Sequence, residues 1–389
     1  IETRRGANLN LNGIAEKILD KTLSVNTYGL RPDDFFGTTP KLCLKEGSNI
    51  LAGTPVFYSK KAPDIKIVSP ISGTIKKILR GPKRKIENII IDSSTNQESI
   101  IHEVKGWKKM DINNLKQLLM ESGNWSFIHQ RPYGIMANPL DTPKSIFVST
   151  AKTDPLREDY HFVLKEDQKE FQLGIDLLNR LVDQPVFLGL DKLYPGYFES
   201  IEGVQHYSFE GPHPAGNLSL HIQKLSPLNM NDRVWTVNPE DVVNIGRFIS
   251  SGVFSPQRTI AVSGNAVANP KYFKTKIGAE LAPILNKVGI KFDNVRVING
   301  DVLTGSTALI SDYLGYFNNL VTVIPEGSHY RMFGWLPFKD NKILSLSNTS
   351  FSRLFNRKGF EVDTNLNGEE RALVVTGEME KIFPLDIYP

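Results

Sequence analysis

The sequence predicts a multidomain α/β protein, and three observations carry that reading. At 389 residues the chain is long enough for about two or three domains, each burying its own core. Residues 1–100 form short apolar runs broken by Gly, Pro and Asn, the pattern of a compact β domain. Residues 144–265 instead alternate strand and helix, the spacing of a doubly wound parallel sheet.

Composition sets the outer bounds. Forty per cent apolar and 23 per cent charged residues are ordinary for a globular chain. The balance of 46 basic against 42 acidic residues, net +4, is too weak to argue for a nucleic-acid partner. The basic residues do cluster once, as Arg80, Lys83, Arg84 and Lys85 in one short turn. A single cysteine, Cys43, rules out an intrachain disulfide and argues against a cysteine-based zinc or iron–sulfur site. It suits a reducing compartment. No apolar run approaches the roughly 18–20 residues of a membrane span, and there is no secretory signal pattern. The chain starts at Ile1 rather than Met and stops at Pro389, so both ends read as trimmed.

In residues 1–105 the phrases running from Lys45 to Pro55, with Gly47 and Gly53, and from Val68 to Ile75, with Gly73, resemble the hairpin turns of biotinyl/lipoyl-type barrel-sandwich domains, where glycines supply positive φ. A carrier domain presents a modifiable lysine between methionines. Here the hairpin reads Ser59-Lys60-Lys61-Ala62-Pro63 with no methionine, so the fold is expected without the carrier role. Residues 106–143 read as a helix and a linker. Asp111 caps the helix, Ile112, Leu115, Leu118 and Leu119 share a face, and Gly123 ends it. The stretch from Trp125 to Tyr133 is aromatic and aperiodic, as an extended linker across a domain junction would be.

Residues 144–265 form the Rossmann-like domain. Strands are expected at 145–150, 185–190 and 258–263. A helix over 166–183 has Phe171, Ile175, Leu178 and Val182 on one side. Another opens at Asn238-Pro239-Glu240-Asp241, with a cap, a first-turn proline and two acids favourable to the helix dipole, and closes at Gly252. Residues 266–330 suit a compact β-grasp, SLBB-like unit. It holds a helix over 276–288 with Pro283 in its early turns, and strands at 295–300 and 320–324. Residues 331–389 form a C-terminal extension with Phe333-Gly334-Trp335 and a return strand at 371–376.

One loop stands out within this frame. Phe209-Glu210-Gly211-Pro212-His213-Pro214-Ala215-Gly216-Asn217 lies between two alternating apolar runs, 204–209 and 218–222. Two prolines fix φ around His213, and Gly211 and Gly216 permit turns or close backbone approach at either end. Two readings stand: a stiff connection between strands, or a loop at the sheet edge of a nucleotide-type fold that holds something other than a nucleotide.

The chemistry is defined largely by what is missing. A dinucleotide site needs Gly-x-Gly-x-x-Gly directly after a strand. No such phrase follows Thr150, Leu190 or Ser263, and no Walker loop occurs, so no flavin or NAD is expected on this chain. His206, His213 and His221 have no carboxylate obviously placed beside them, and no metal is expected. Without Gly-x-Ser-x-Gly, hydrolase activity is disfavoured. Two aromatic-and-arginine stretches remain. Tyr28, Leu30, Arg31, Phe35 and Phe36 form one, and Trp125, Arg131, Pro132 and Tyr133 the other. An apolar slot with a few donors at a domain junction suits a flat quinone ring; the same residues suit packing or a protein–protein contact.

Several phrases together resemble the family of A subunits of the bacterial Na⁺-translocating NADH:quinone oxidoreductase. They are Gly29-Leu30-Arg31-Pro32, Arg80-Gly81-Pro82-Lys83-Arg84, Ser122-Gly123-Asn124-Trp125, Arg131-Pro132-Tyr133, the 209–216 loop, 295–305, Asp312-Tyr313-Leu314-Gly315 and Phe333-Gly334-Trp335. The family is similar to the flavin-bearing NADH subunit of complex I and to the Rnf-type C subunit. Those relatives add a Gly-rich flavin loop, and Rnf subunits add cysteine clusters, both absent from this sequence. The resemblance implies a peripheral subunit on the cytoplasmic face of the inner membrane, in a complex that couples NADH oxidation and quinone reduction to sodium export. Its partners would be the membrane-embedded B subunit and the others, through F. It implies a share in binding quinone, ubiquinone or menaquinone, without a flavin of its own, and an isolated chain that is inactive. The alternative is a structural docking subunit with no ligand. Residues 33–40 are longer and more acidic than the family pattern, and the family's cysteine-bearing C-terminal portion would lie beyond Pro389.

Overall fold

A computed structural model describes residues 1–192, 194–328, 359–366 and 382–385. The expected 333–335 phrase and the 371–376 strand lie outside the described residues. The N-terminal β domain contains β1 (Glu16–Asp20), β2 (Thr27–Leu30), β3 (Pro40–Leu42), β4 (Asn49–Ile50), β5 (Pro55–Ser59), β6 (Ala62–Val68), β7 (Gly73–Arg80) and β8 (Ile86–Ser93). Two small antiparallel sheets, β2-β8-β7-β4 and β3-β5-β6, close over Val56, Phe57, Ile65, Ile67, Ile75, Ile89 and Ile91. β5 and β6 meet in the expected Lys60-Lys61 turn. β1 leaves this domain and pairs parallel with a distant strand, described below.

Helix α1 (Ile112–Glu121) begins as predicted, with the Asp111 carboxylate accepting from the Asn113 amide, and Gly123 follows in the left-handed region. The linker expectation for the next stretch is corrected. Residues Asn124–Phe127 form a buried 3-10 turn, and β9 (His129–Arg131) and β10 (Ile135–Met136) extend a sheet. Trp125 packs edge-to-face on Trp235 with ring centroids 5.5 Å apart. Apolar aromatics without periodicity signal a loop only while the surface they pack on is unknown.

The middle sheet runs β10-β9-β14-β11-β12-β13, adding β11 (Ile146–Ser149), β12 (Val186–Asp191), β13 (Gln205–Phe209) and β14 (Val234–Thr236). β14, β11, β12 and β13 are mutually parallel, and β9 and β10 are antiparallel additions. After a one-turn helix α2 (Tyr160–Val163), helices α3 (Gln168–Leu181), α4 (Leu218–Leu225) and α5 (Pro239–Ser251) cover the sheet on both faces. Phe147, Phe187 and Val234 meet Ile222 and Leu225 of α4, while Ile146, Val148 and Leu188 pack with the α3 and α5 core. A strand covered on both faces is buried throughout, as β11 is. The apolar run at 218–222 is therefore helix and not strand: Leu218 and Ile222, four residues apart, face the sheet together with Leu225.

Helices α3 and α5 touch backbone to backbone. A Cβ on Gly174 would lie 2.1 Å from the Val242 carbonyl oxygen, and one on Gly246 would lie 1.8 Å from that of Glu170. Gly246→Ala should force the helices apart and lower stability by about 1–3 kcal/mol, read as a drop in the urea unfolding midpoint. An unchanged midpoint would mean that this crossing is loose.

The third sheet, β1-β16-β15-β19-β17-β18, is built from β15 (Gln257–Ser263), β16 (Lys271–Lys276), β17 (Val295–Asn299), β18 (Ser306–Ala308) and β19 (Leu320–Pro325), with β1 recruited from the N-terminus. The 258–263 strand, expected in the doubly wound sheet, belongs here. Strand spacing alone did not tell which sheet β15 would join; its pairing with β16 and β19 decides it. α6 (Leu281–Val288) is shorter than the 276–288 expected, which leaves Pro283 in its first turn.

The domains are locked by polar contacts. Arg258 on β15 is wholly buried, and its Nη1 donates to Asp241 Oδ1 of α5 at 2.6 Å. Its Nε and Nη2 donate to the Tyr316 carbonyl, and it lies over the Phe127 ring. Asp34 ties in the N-terminal domain by accepting from the Tyr316 amide at 2.9 Å and from Arg31 at 2.8 Å.

Candidate functional site

In the middle sheet the chain runs outward from β11 through β12 to β13, then returns to place β14 on β11's other side. Open α/β sheets bind ligands where strand order reverses, outside the carboxyl ends of the strands. A cleft of about 590 Å³ opens at that position, lined by Ser149, Ala151 and Lys152 after β11 and by Thr236, Val237 and Asn238 after β14. The other domains supply its remaining walls: Asp34 from the N-terminal domain, and Thr304 and Phe317 from the C-terminal one. An adjoining hollow of about 260 Å³ shares Asp34, Lys152, Asp154, Thr304 and Phe317 and adds Arg31 and Arg157.

The 209–217 loop forms one rim, joining a strand to a helix. Gly211 holds φ of +142°, and a Cβ there would meet the Thr3 carbonyl at 2.2 Å, so the N-terminal segment packs on its backbone. Gly216 donates its amide to Thr153 Oγ1 at 2.9 Å, and that hydroxyl lies 3.1 Å from His213 Nδ1. Asp154 Oδ1 stands 3.8 Å from the same nitrogen. His221 fixes the loop from beneath. Its Nε2 is 2.7 Å from the Ala215 carbonyl, which can only accept, so Nδ1 accepts from the Tyr207 hydroxyl at 2.9 Å. Burial pushes the His221 imidazole down to about 4. His206 turns elsewhere, to the Phe198 carbonyl, so the three histidines do not converge.

On the opposite side β9 carries His129 and Arg131 into the cleft. The His129 ring meets Phe317 edge-on at 4.5 Å. Burial, with Arg131 nearby, pushes its pKa down to about 4, so the ring is neutral. Lys152 and Glu158 form an ion pair at 2.5 Å, the ammonium over the Tyr160 ring, whose hydroxyl accepts from Asn238. Burial works against charge on both members, yet each is held charged by the other.

The candidate residues divide. Tyr28, Leu30, Phe35 and Trp125 are buried in the core and do not line the cleft: Phe35 packs on Phe57, Tyr316 and Phe317, and Trp125 on Trp235. Arg131, His213 and Gly216 line the cleft and Arg31 the hollow, whereas Gly211 sits behind the rim. Phe36 and Tyr133 are 71% and 61% exposed, and Pro132 is exposed. Lys152, Asp154, Asn238 and Phe317 were not singled out as site residues by sequence. For Lys152 and Asn238 the available signal was position, directly after a predicted strand and capping a predicted helix.

A barrel-sandwich domain, a two-sided α/β domain and a third, mixed-sheet domain, closing on a shared cleft, define a three-domain scaffold. Residues 1–94 match the family profile described as the NqrA N-terminal barrel-sandwich hybrid domain, 110–254 the NqrA second alpha/beta domain, and 259–309 the NQRA C-terminal domain. The A subunit of the Na(+)-translocating NADH-quinone reductase of Neisseria meningitidis is 31% identical over 392 residues, covering 100% of this chain and 87% of that protein. The same subunit of Rhodopirellula baltica is 33% identical, covering 99% and 85%, and that of Actinobacillus pleuropneumoniae 33%, covering 100% and 87%. The chain belongs to this family, the A subunits of the Na⁺-translocating NADH-quinone reductase. A solved NAD⁺-reducing [NiFe]-hydrogenase in its air-oxidized state aligns at 14% identity and TM-score 0.38, over 59% of this chain and 52% of that one, too loosely to bear on fold or function.

Proposed function

We propose that the chain serves as the peripheral A subunit of the sodium-pumping complex on the cytoplasmic face of the membrane, docked on the membrane-embedded B subunit. In this reading it contributes to quinone binding at the three-domain cleft and carries no flavin or nicotinamide of its own. The complex couples NADH oxidation and quinone reduction to sodium export. One observation carries the quinone reading: two stretches about a hundred residues apart in sequence, each singled out as aromatic and arginine-bearing, converge on one opening. Asp34 comes from the first and Arg131 from the second, with the neutral His129 and the Phe317 ring between them. A flat ring wants such edges, and a carbonyl oxygen wants the arginine. The exit of β11, Thr150-Ala151-Lys152-Thr153, holds no glycine to cradle a pyrophosphate, which supports the absence of a bound dinucleotide. Among the described residues no helix is long and apolar enough to cross a membrane, in keeping with peripheral attachment. The exposure of Phe36 and Tyr133 favours a second reading, docking without a ligand. Photo-crosslinking a quinone analogue to the assembled complex tests the first: label is expected on 28–36, 129–134 or 317, and label elsewhere alone would sink it. Arg131→Ala separates the two readings. Weakened quinone kinetics in an assembled complex supports binding, whereas loss of this chain from the complex supports docking.

A further inference from the structure

We infer that the cleft holds a binding site for a small molecule bearing an oxyanion, carboxylate or phosphate, with Arg131 as its counter-charge. Asp34 pairs with Arg31 at 2.8 Å, Lys152 with Glu158 at 2.5 Å and Asp241 with Arg258 at 2.6 Å, while Asp154 faces His213. Of the two permanently cationic side chains lining the cleft, Lys152 is paired and Arg131 has no acidic partner within 4.0 Å among the described residues, and its buried Nε has no hydrogen-bond partner. Its β9 backbone is held by pairing with Val234, so the side chain is delivered to the cleft by the sheet. Burial lowers the pKa of this guanidinium, the sign of a charge kept from water without compensation. A guanidinium partly withdrawn from water without a counter-charge is costly, and an anion offsets the cost on arrival. The guanidinium fork matches a carboxylate or phosphate in a way a lysine does not.

The surroundings favour a small molecule. The volume falls within the roughly 300–1,000 Å³ of small-ligand sites, and Ala151, Val237 and Phe317 give an apolar patch to a cleft whose lining is otherwise mostly polar. The first turn of α4 also lines the cleft, and Asn217 gives it no side-chain cap. A neutral quinone asks for a donor but not for a counter-charge, so this inference goes beyond the quinone reading and stands without it.

The test titrates the full chain by calorimetry with inorganic phosphate and, separately, with benzoate. At least one probe should bind saturably at one site. Arg131→Gln should weaken that binding at least about tenfold, with Arg131→Lys intermediate because it keeps the charge and loses the fork. Arg84→Gln, on the exposed basic turn, should leave binding unchanged. A preference for benzoate identifies a carboxylate ligand, and a preference for phosphate a phosphate ester. No saturable binding of either probe, or equal affinity in a folded Arg131→Gln, overturns the inference. Should Arg131→Gln not fold, an undiminished affinity in Arg131→Lys does so instead. Quinone labelling of the complex is read independently, so the two proposals fail separately.

Discussion

Arg258→Met is expected to destabilise the chain by about 3–5 kcal/mol, the cost of removing one partner from a buried ion cluster. The side chain is 0% exposed; it reaches Asp241 and the Phe127 ring of the middle domain while donating twice to the Tyr316 carbonyl of its own. Methionine fills much the same volume, so packing alone changes little. What remains is Asp241 and Glu240, both buried and facing a vanished cation. Their carboxylates must then take up protons or admit water. At about 2–4 °C per kcal/mol for a domain of this size, the melting temperature should fall by roughly 10 °C. Adding Asp241→Asn and Glu240→Gln removes the stranded charges and should restore part of the loss, because an uncharged cluster has nothing left to compensate. A single Arg258→Met variant that melts within about 1 kcal/mol of the parent would show that water reaches this seam and the pair is not desolvated.

The same seam shows where sequence reading works and where it stops. The Asn238 cap and the proline after it were legible because capping depends only on neighbouring backbone groups, and Asn238 Oδ1 does accept from the Glu240 amide. The two acids that follow suit the helix dipole. They sit at that helix end, but their charge is answered by Arg258 from another sheet, about twenty residues on. No local pattern could have announced this. Strand identity was likewise readable at β11 and β12, while the sheet that β15 joins depended on pairing across the chain. The cleft was half legible. Arg131 and His213 stood out by proline flanks and residue type, but their meeting with Phe317 is a product of domain packing. Tyr28, Phe35 and Trp125 suit a ligand slot by residue type because a core aromatic and a ring-stacking one have the same chemistry; only burial separates them.

The pH dependence of stability should reveal two opposed buried protons. His221 is wholly buried with its folded pKa at about 4, and an unfolded histidine titrates near 6.5. Between those values the unfolded chain binds more protons, so the contribution of His221 is complete above about pH 6.5 and is lost as pH falls toward 4, a swing of about 3 kcal/mol. His129, also held at about 4, acts in the same direction. Glu240 does the reverse. Burial pushes its carboxyl up to about 7, against the pull of Arg258, because one guanidinium faces two carboxylates and the neighbouring Asp241 is also raised. The shared proton belongs to that pair. From about pH 4.5, the ordinary range of a glutamate, to about 7, the folded chain binds more protons, so this contribution is present at low pH and is lost as pH rises. Two histidines against one acid should leave a net gain of stability of about 3 kcal/mol between pH 4.5 and 7.5. Glu240→Gln removes the opposing member and should roughly double that gain, with the variant at least as stable as the parent at pH 7.5. The substituted amide still accepts from the Thr259 amide, as Glu240 does, and Asn319 can turn its unpartnered Oδ1 toward the new amide. His221→Gln keeps a donor for Ala215 and an acceptor for Tyr207, and should leave the profile nearly flat. Urea midpoints at half-unit steps of pH separate these curves. A Glu240→Gln variant weaker than the parent at pH 7.5 would mean that folding favours the ionised carboxylate and that Arg258 balances both acids.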